Sequence, residues 1–443
     1  MSKILLVGYN PPNLIPNMKV EAAHYRTWQF LKPLLHDGHK ICFCANDFSG
    51  NEAGLIPAAW AKQLTYHLLP FRRKFGWAKQ LQEIHDAFDP DCIVAVNFDC
   101  ALCTTKLKTH KPIWMDIYGD YLTIMQVARY RSGSDRGIST SIEFMRQVLK
   151  KGDAFSVCGT PQQHMLVGEL AMTGRLNSRT FGYEFAHVVL PGAAPISDSK
   201  DTGRERSLLL SKGIPKDSFV VLWCGGYNTW TDVDTLFRAL ELVMSQNANV
   251  HYVSVGASTY GTPGNVYTRL QEMIENSPYR TRFHLLGWRP WSEIKYYYQE
   301  SDIGLNIDAL HYETIYGTRT RLVEMLAMGL PIVTSLGCEL SDIIAHNKAG
   351  LTFESGDWKS MGQQIIKLAT NKALYLEMST KALNYAQNDL SFVNTTRSVR
   401  KWVNHPNLAP DKAPTNFRDQ IKRLEYQTRS VTRQLIWQFA GLD

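Results

Sequence analysis

At 443 residues, 44% of them hydrophobic and 20% charged, the chain is long enough for two ordinary globular domains with sizeable cores. A net charge of +7, spread along the chain rather than blocked, suits an anionic substrate or a lipid surface. No zinc-finger spacing, RNA-binding aromatic motif or helix-turn-helix signal points to nucleic acid. No apolar run reaches bilayer length, and the opening MSKILLVGYNPPN reads as a strand entering a loop rather than a signal peptide, so a reducing, cytoplasmic setting is expected.

Lys3 to Val7 predicts a strand, followed by a loop over Tyr9 to Asn17 and a helix from about Val20 to Asp37 that Gly38 ends. Further strands are expected at His39 to Ala45, Tyr66 to Leu69, Cys92 to Asn97, Ile113 to Tyr118, Ala154 to Cys158 and His187 to Leu190. Pro191 to Gly203 is rich in Pro, Gly, Ser and Asp and marks a boundary. The pattern then restarts with a strand at Phe219 to Cys224 and a helix from about Val233 to Gln246. Strands follow at His251 to Gly256, Arg282 to Leu286, Ile303 to Ile307, Ile332 to Thr334 and Leu351 to Phe353. Short apolar strands alternating with helices predict an α/β chain of two doubly wound, Rossmann-like domains. The expected division is 1–195, 196–395, and a helical tail over 396–443.

Of the eight Cys, five fall inside predicted strands and act as small hydrophobes, and Cys100 with Cys103 forms a lone CxxC read as a bystander pair. In the tail, Phe417, Ile421, Leu424, Val431, Leu435 and Phe439 form a helical stripe among Arg418, Lys422, Arg423, Arg429 and Arg433. Such a helix can lie on an anionic membrane or dock on protein. Asp419, Glu425 and Asp443 dilute the charge and favour docking or self-association.

The chemistry concentrates in HYETIYGTRTRLVEMLAMGLPIVTS, from His311 to Ser335. Thr318 is the expected N-cap of a helix over Arg319 to Met328, stopped by Gly329 and Pro331. A helix N-terminus favours phosphate, Gly317 permits close backbone approach, and Arg319, Thr320 and Arg321 bring donors and two permanent charges there. Glu324 lies one turn deeper, where a carboxylate accepts hydrogen bonds from a ribose diol. The alternative is an ordinary amphipathic helix with an Arg–Glu surface pair.

This stretch resembles the donor-binding segment of retaining GT-B glycosyltransferases of the family 4 type, with Glu324, Ala327, Gly329, Pro331 and Val333 matching its second half. The family's first Glu would fall eight positions before Glu324, where this chain has Tyr316. A bacterial subgroup acting on cell-surface polysaccharides has His-x-Glu-Thr followed by Arg-Thr-Arg and is similar to His311, Glu313, Thr314, Arg319, Thr320 and Arg321. The resemblance implies a GT-B fold with a cleft between the domains, and a C-terminal helix that returns to the first of them. It also implies a nucleotide diphosphate sugar as donor, a glycan or lipid-linked acceptor, and no metal or cofactor. Glu313 would stand in for the missing Glu.

Other positions follow from the same resemblance. WCGGYNTW (Trp223 to Trp230) occupies the first loop of the donor domain, where Gly225 and Gly226 allow close approach. The usual Arg and Lys are missing, leaving the phosphate to Arg319, Arg321 and helix N–H groups. Trp288 or Arg289 would line the nucleobase side. Asp302 is read as structural, and Asp308, beside His311, is expected to face the cleft. Asp116 and Asp120 match an aspartate-rich version of the sugar-facing segment, with a cap or turn as the alternative for that Gly119-Asp120 turn. Arg26 is read as a surface or structural residue. A sugar-nucleotide epimerase, a pseudo-glycosyltransferase and a non-catalytic scaffold on the same fold remain open.

Overall fold

The computed structural model describes residues 1–15, 17, 19–46, 57–69, 77–194, 207–258 and 266–412. Its first sheet contains β1 (Lys3–Tyr9), β2 (Lys40–Asn46), β3 (Leu64–Leu69), β4 (Cys92–Ala95), β5 (Ile113–Ile117), β6 (Ala154–Val157) and β7 (Ala186–Val188). The second contains β8 (Phe219–Cys224), β9 (Val250–Val255), β10 (Phe283–Gly287), β11 (Ile303–Asn306), β12 (Ile332–Ser335) and β13 (Gly350–Phe353). All neighbours pair in parallel, in the orders β3-β2-β1-β4-β5-β6-β7 and β10-β9-β8-β11-β12-β13. Strand order therefore reverses between β1 and β4 and again between β8 and β11, the crevices where doubly wound sheets bind ligands.

Strand periodicity explains why both faces of each sheet are covered. Along β1, Leu5, Val7 and Tyr9 enter one core while Ile4 and Leu6 enter another. In β8, Val220, Leu222 and Cys224 face one layer of helices and Val221 and Trp223 the other. Asp232 caps helix Val233–Gln246 by accepting from the Thr235 N–H at 3.0 Å. The strand expected to reach Asn97 stops at Ala95, because Asn97 takes φ +75° and starts a short helix, Phe98–Thr104. Cys100 and Cys103 sit in that helix, neither in a disulfide.

The chain crosses back late. Helix Arg397–Asn404 packs Val399 and Val403 into the first domain's core, where the Trp402 ring meets Trp114 at 5.6 Å and Arg400 pairs with Asp37. Tyr25 and Trp28 of helix Ala22–His36 pack with Phe392, and Trp28 also meets Trp291 of the second domain at 5.8 Å. Most of the expected boundary segment and the whole Phe417–Phe439 stripe lie outside the described residues.

Candidate active site

A cleft of about 580 Å³ lies between the domains, lined from the first by Lys19, Tyr25, Tyr118 and Arg131, among others. From the second come Gly225, Gly226, Trp230, Trp288, Arg289, Glu313, Gly317–Arg321 and Glu324. The first-domain positions follow the carboxyl ends of β1 and β5 and the second-domain positions those of β8, β10 and β11, so the cleft opens at the topological switch of the second sheet.

The key helix begins one residue later than expected, at Thr320, and ends one earlier, at Ala327. Arg319, with φ −126° and ψ 98°, takes the N-cap place assigned to Thr318, because a separate turn of helix, Tyr312–Tyr316, ends at Gly317 and shifts the start. The Thr318 hydroxyl is buried without a hydrogen-bond partner. Gly317 is required by the protein itself: a Cβ there would meet the Glu313 carbonyl oxygen at 2.4 Å. Gly225 needs its glycine for conformation, with φ +137°, and an added Cβ would touch the Arg321 guanidinium at 3.2 Å.

The two arginines have different environments. Arg319 is 4% exposed, with Nε 2.8 Å from Asp308 and Nη2 2.8 Å from Glu313, and it stacks over Trp230 at 5.1 Å. Burial opposes its charge, but Asp308 and Glu313 more than offset this and raise its pKa. Its charge is thus neutralised inside the protein, which corrects the picture of two equal phosphate ligands. Asp308 lies behind Arg319 rather than facing the cleft, and Glu313 reaches the cleft wall as Arg319's partner. Burial raises the Glu313 pKa against the pull of Arg319.

Arg321 makes no ion pair among the described residues. It lies 4.1 Å over the Trp223 ring, donates to Asn306 Oδ1 at 3.2 Å and reaches the Gly226 carbonyl at 3.4 Å. Burial lowers its pKa, the mark of an under-compensated cation. One turn deeper, Glu324 accepts from the Tyr298 hydroxyl at 3.1 Å, and burial pushes its pKa up to about 7 against Tyr298 and Arg321.

On the first-domain side, Asp116 is fully buried and absent from the cleft wall. It binds Arg26 through both oxygens, at 3.1 and 2.7 Å, and accepts from Ser156 at 2.6 Å. Internal pairing replaces the cleft-facing role expected of it. Arg26 is accordingly structural, and it lies 4.6 Å from the Tyr118 ring. Tyr118 then bridges the domains, its hydroxyl 2.7 Å from Thr320 Oγ1. Asp120 adopts the capping alternative, accepting from Leu122 and Thr123 N–H at the head of helix Tyr121–Ser132.

The remaining positions are peripheral or partial. His311 is the exposed N-cap of the short helix, and Tyr316 offers its carbonyl to the Cys158 thiol while its ring stacks on Tyr312. Trp288 lines the cleft with Lys19 Nζ 4.0 Å over its ring, and beside it the Arg289 Nε is buried without a hydrogen-bond partner. Sequence reasoning missed Trp223 beneath Arg321, Tyr298 on Glu324, and the cross-domain grip of Glu339 on Thr160. No local motif announces these, because each joins residues far apart in the chain.

The fold is that of the GT-B glycosyltransferases, and residues 218–371 match the family model for glycosyl transferases group 1. The matched segment holds the Arg321 side of the cleft and spans about a third of the chain. The amylovoran biosynthesis glycosyltransferase AmsK of Erwinia amylovora is similar at 26% identity over 138 residues, 31% of this chain and 32% of that protein. The chain therefore matches about a third of that relative's length. Sucrose-phosphate synthase from Thermosynechococcus elongatus superimposes with a TM-score of 0.68 at 15% identity, covering 91% of this chain and 98% of that one. Anabaena HepE in complex with UDP-glucose does so with a TM-score of 0.64 at 14% identity, covering 91% and 100%.

Proposed function

We propose that the protein is a family 4-type glycosyltransferase that moves a sugar from a nucleotide diphosphate sugar to a saccharide acceptor in cell-surface polysaccharide synthesis, from the cytoplasmic side. The observation that carries this reading is Arg321 at the helix tip with Glu324 one turn deeper, both lining the interdomain cleft. A diphosphate supplies the negative charge that Arg321 and the first-turn N–H groups lack, and Glu324 accepts from the ribose diol. Similarity to a glycosyltransferase of amylovoran biosynthesis, and to a fold solved with UDP-glucose, supports the donor and pathway class.

In this reading Arg321 and the helix tip stabilise charge on the departing diphosphate, while Glu324 positions the donor. Arg319 and Glu313 brace the wall against which the phosphates rest, and Tyr118 holds the first domain on Thr320. Among the described residues the cleft wall carries the carboxylates Glu21, Glu313 and Glu324, each engaged by Lys19, Arg319 or Tyr298, which fits retention of configuration without an enzyme nucleophile. The leaving phosphate then takes the acceptor's proton as the new glycosidic bond forms on the same face. Titration calorimetry of UDP against wild type and Arg321→Ala tests the site. A loss of about tenfold or more is expected, given about 1.5–3 kcal/mol per charged hydrogen bond. Equal affinity in a folded variant sinks the assignment.

A further inference from the structure

Buried polar groups in folded proteins are almost always paired, so an unpaired one facing a cleft calls for a partner from outside. Three residues lining the interdomain cleft carry such an atom: Trp230 Nε1, Thr318 Oγ1 and Arg289 Nε. Arg289 follows the end of β10, whereas the other two gather around Arg319. Thr318 precedes Arg319 in the chain, and the Arg319 guanidinium lies 5.1 Å from the centre of the Trp230 ring.

Their place in the cleft follows from the helix. Glu324 lies one turn inside helix Thr320–Ala327, Arg321 stands in its first turn, and Thr318 lies beyond its N-terminal end, with Trp230 against Arg319. A nucleotide sugar with its ribose at Glu324 and its diphosphate at the tip therefore brings its sugar to Trp230 and Thr318.

The loop carrying Trp230 is fastened, which fixes the direction of the indole. The Trp230 carbonyl accepts from the Ala309 N–H at 2.7 Å, Thr231 bridges to Asp308, and the Tyr227 hydroxyl lies 2.7 Å from the hydroxyls of Tyr252 and Ser254. Arg319 stacking on its face holds the ring. An indole N–H only donates, so its partner must be an acceptor oxygen, while the Thr318 hydroxyl can donate or accept. Charge narrows the class further. The wall beside Trp230 sets one cation, Arg319, against Asp308 and Glu313, so a sugar carboxylate gains no free positive charge from it.

We infer that Trp230, with Thr318, selects the transferred sugar, the indole N–H donating to a hydroxyl or acetamido oxygen of an uncharged sugar. This role rests on the nucleotide-sugar reading above and specifies the part of the donor that Trp230 reads.

Titration calorimetry of the full chain with UDP, UDP-glucose, UDP-galactose, UDP-N-acetylglucosamine and UDP-glucuronate tests it. At least one of the neutral sugar nucleotides should bind, and UDP-glucuronate should bind more weakly than the best of them. Trp230→Phe keeps an aromatic ring against Arg319 and removes the N–H. It should weaken the best-bound neutral sugar nucleotide by about threefold to tenfold and leave UDP within about twofold. Thr318→Val, which leaves the indole untouched, should show the same split, with melting temperatures of both variants kept. Equal losses for UDP and the sugar nucleotide, no loss in Trp230→Phe, or tightest binding of UDP-glucuronate overturns the inference, as does UDP binding with no sugar nucleotide bound. Each of these results leaves the donor reading standing, whereas no UDP binding by wild type defeats that reading itself.

Discussion

Replacing Arg319 with alanine should destabilise the second-domain wall of the cleft rather than merely weaken a ligand. The side chain is 4% exposed and holds Asp308 and Glu313, themselves 1% and 5% exposed, at 2.8 Å each. Removing it leaves two carboxylates buried without their cation, and breaking a buried pair in this way costs about 3–5 kcal/mol. The variant can recover part of that by protonating the acids. Glu313 already has a raised pKa, and losing Arg319 lifts it further above the unfolded value. A raised folded pKa means stability that is present below the unfolded pKa and lost as pH rises through the folded one. The variant's deficit should therefore be largest at alkaline pH and shrink on mild acidification, and Arg319→Ala/Glu313→Gln should regain part of the loss. Urea unfolding followed by tryptophan fluorescence measures both effects. A deficit below about 1 kcal/mol, or one that grows on acidification, refutes the buried three-residue cluster.

Three further outcomes follow from the same geometry. Glu324→Gln should reduce UDP affinity more than that of its deoxyribose counterpart, and it should flatten the tightening of wild-type UDP binding expected as Glu324 ionises with rising pH through about 7; calorimetry across that range decides it, and equal losses for the two nucleotides count against a diol contact. Glu339→Ala removes the carboxylate that accepts from the Thr160 N–H at 2.5 Å and hydroxyl at 2.8 Å across the domains. With about 1.5–3 kcal/mol lost per charged hydrogen bond, small-angle scattering should show a more open free protein, and an unchanged radius of gyration argues against that grip. Transfer should survive EDTA, since Arg321 and the helix tip supply the positive field and the described residues contain no cluster of three or more metal-ligating side chains. Abolition by EDTA with rescue by magnesium would falsify the metal-free reading.

The sequence alone determined the elements and their class. Period-two strands such as Leu5, Val7 and Tyr9 against Ile4 and Leu6, alternating with capped helices, demand parallel sheets covered on both faces. The helix over this segment and its stop at Gly329 were legible too, because stops and close approaches are local, but its cap fell at Arg319 rather than Thr318 once the neighbouring helix Tyr312–Tyr316 was in place. What tertiary structure decided was the charge state of each site residue. Arg319 and Arg321 stand two positions apart with the same side chain, yet only Arg319 turns toward Asp308 and Glu313, while Arg321 turns toward Trp223 and the cleft. Asp116 looked available until Arg26, on a distant helix, was found clasping it. Whether a charge is spent inside the protein or offered to a ligand depends on which long-range partner reaches it first, and that pairing is set by how helices and sheets pack.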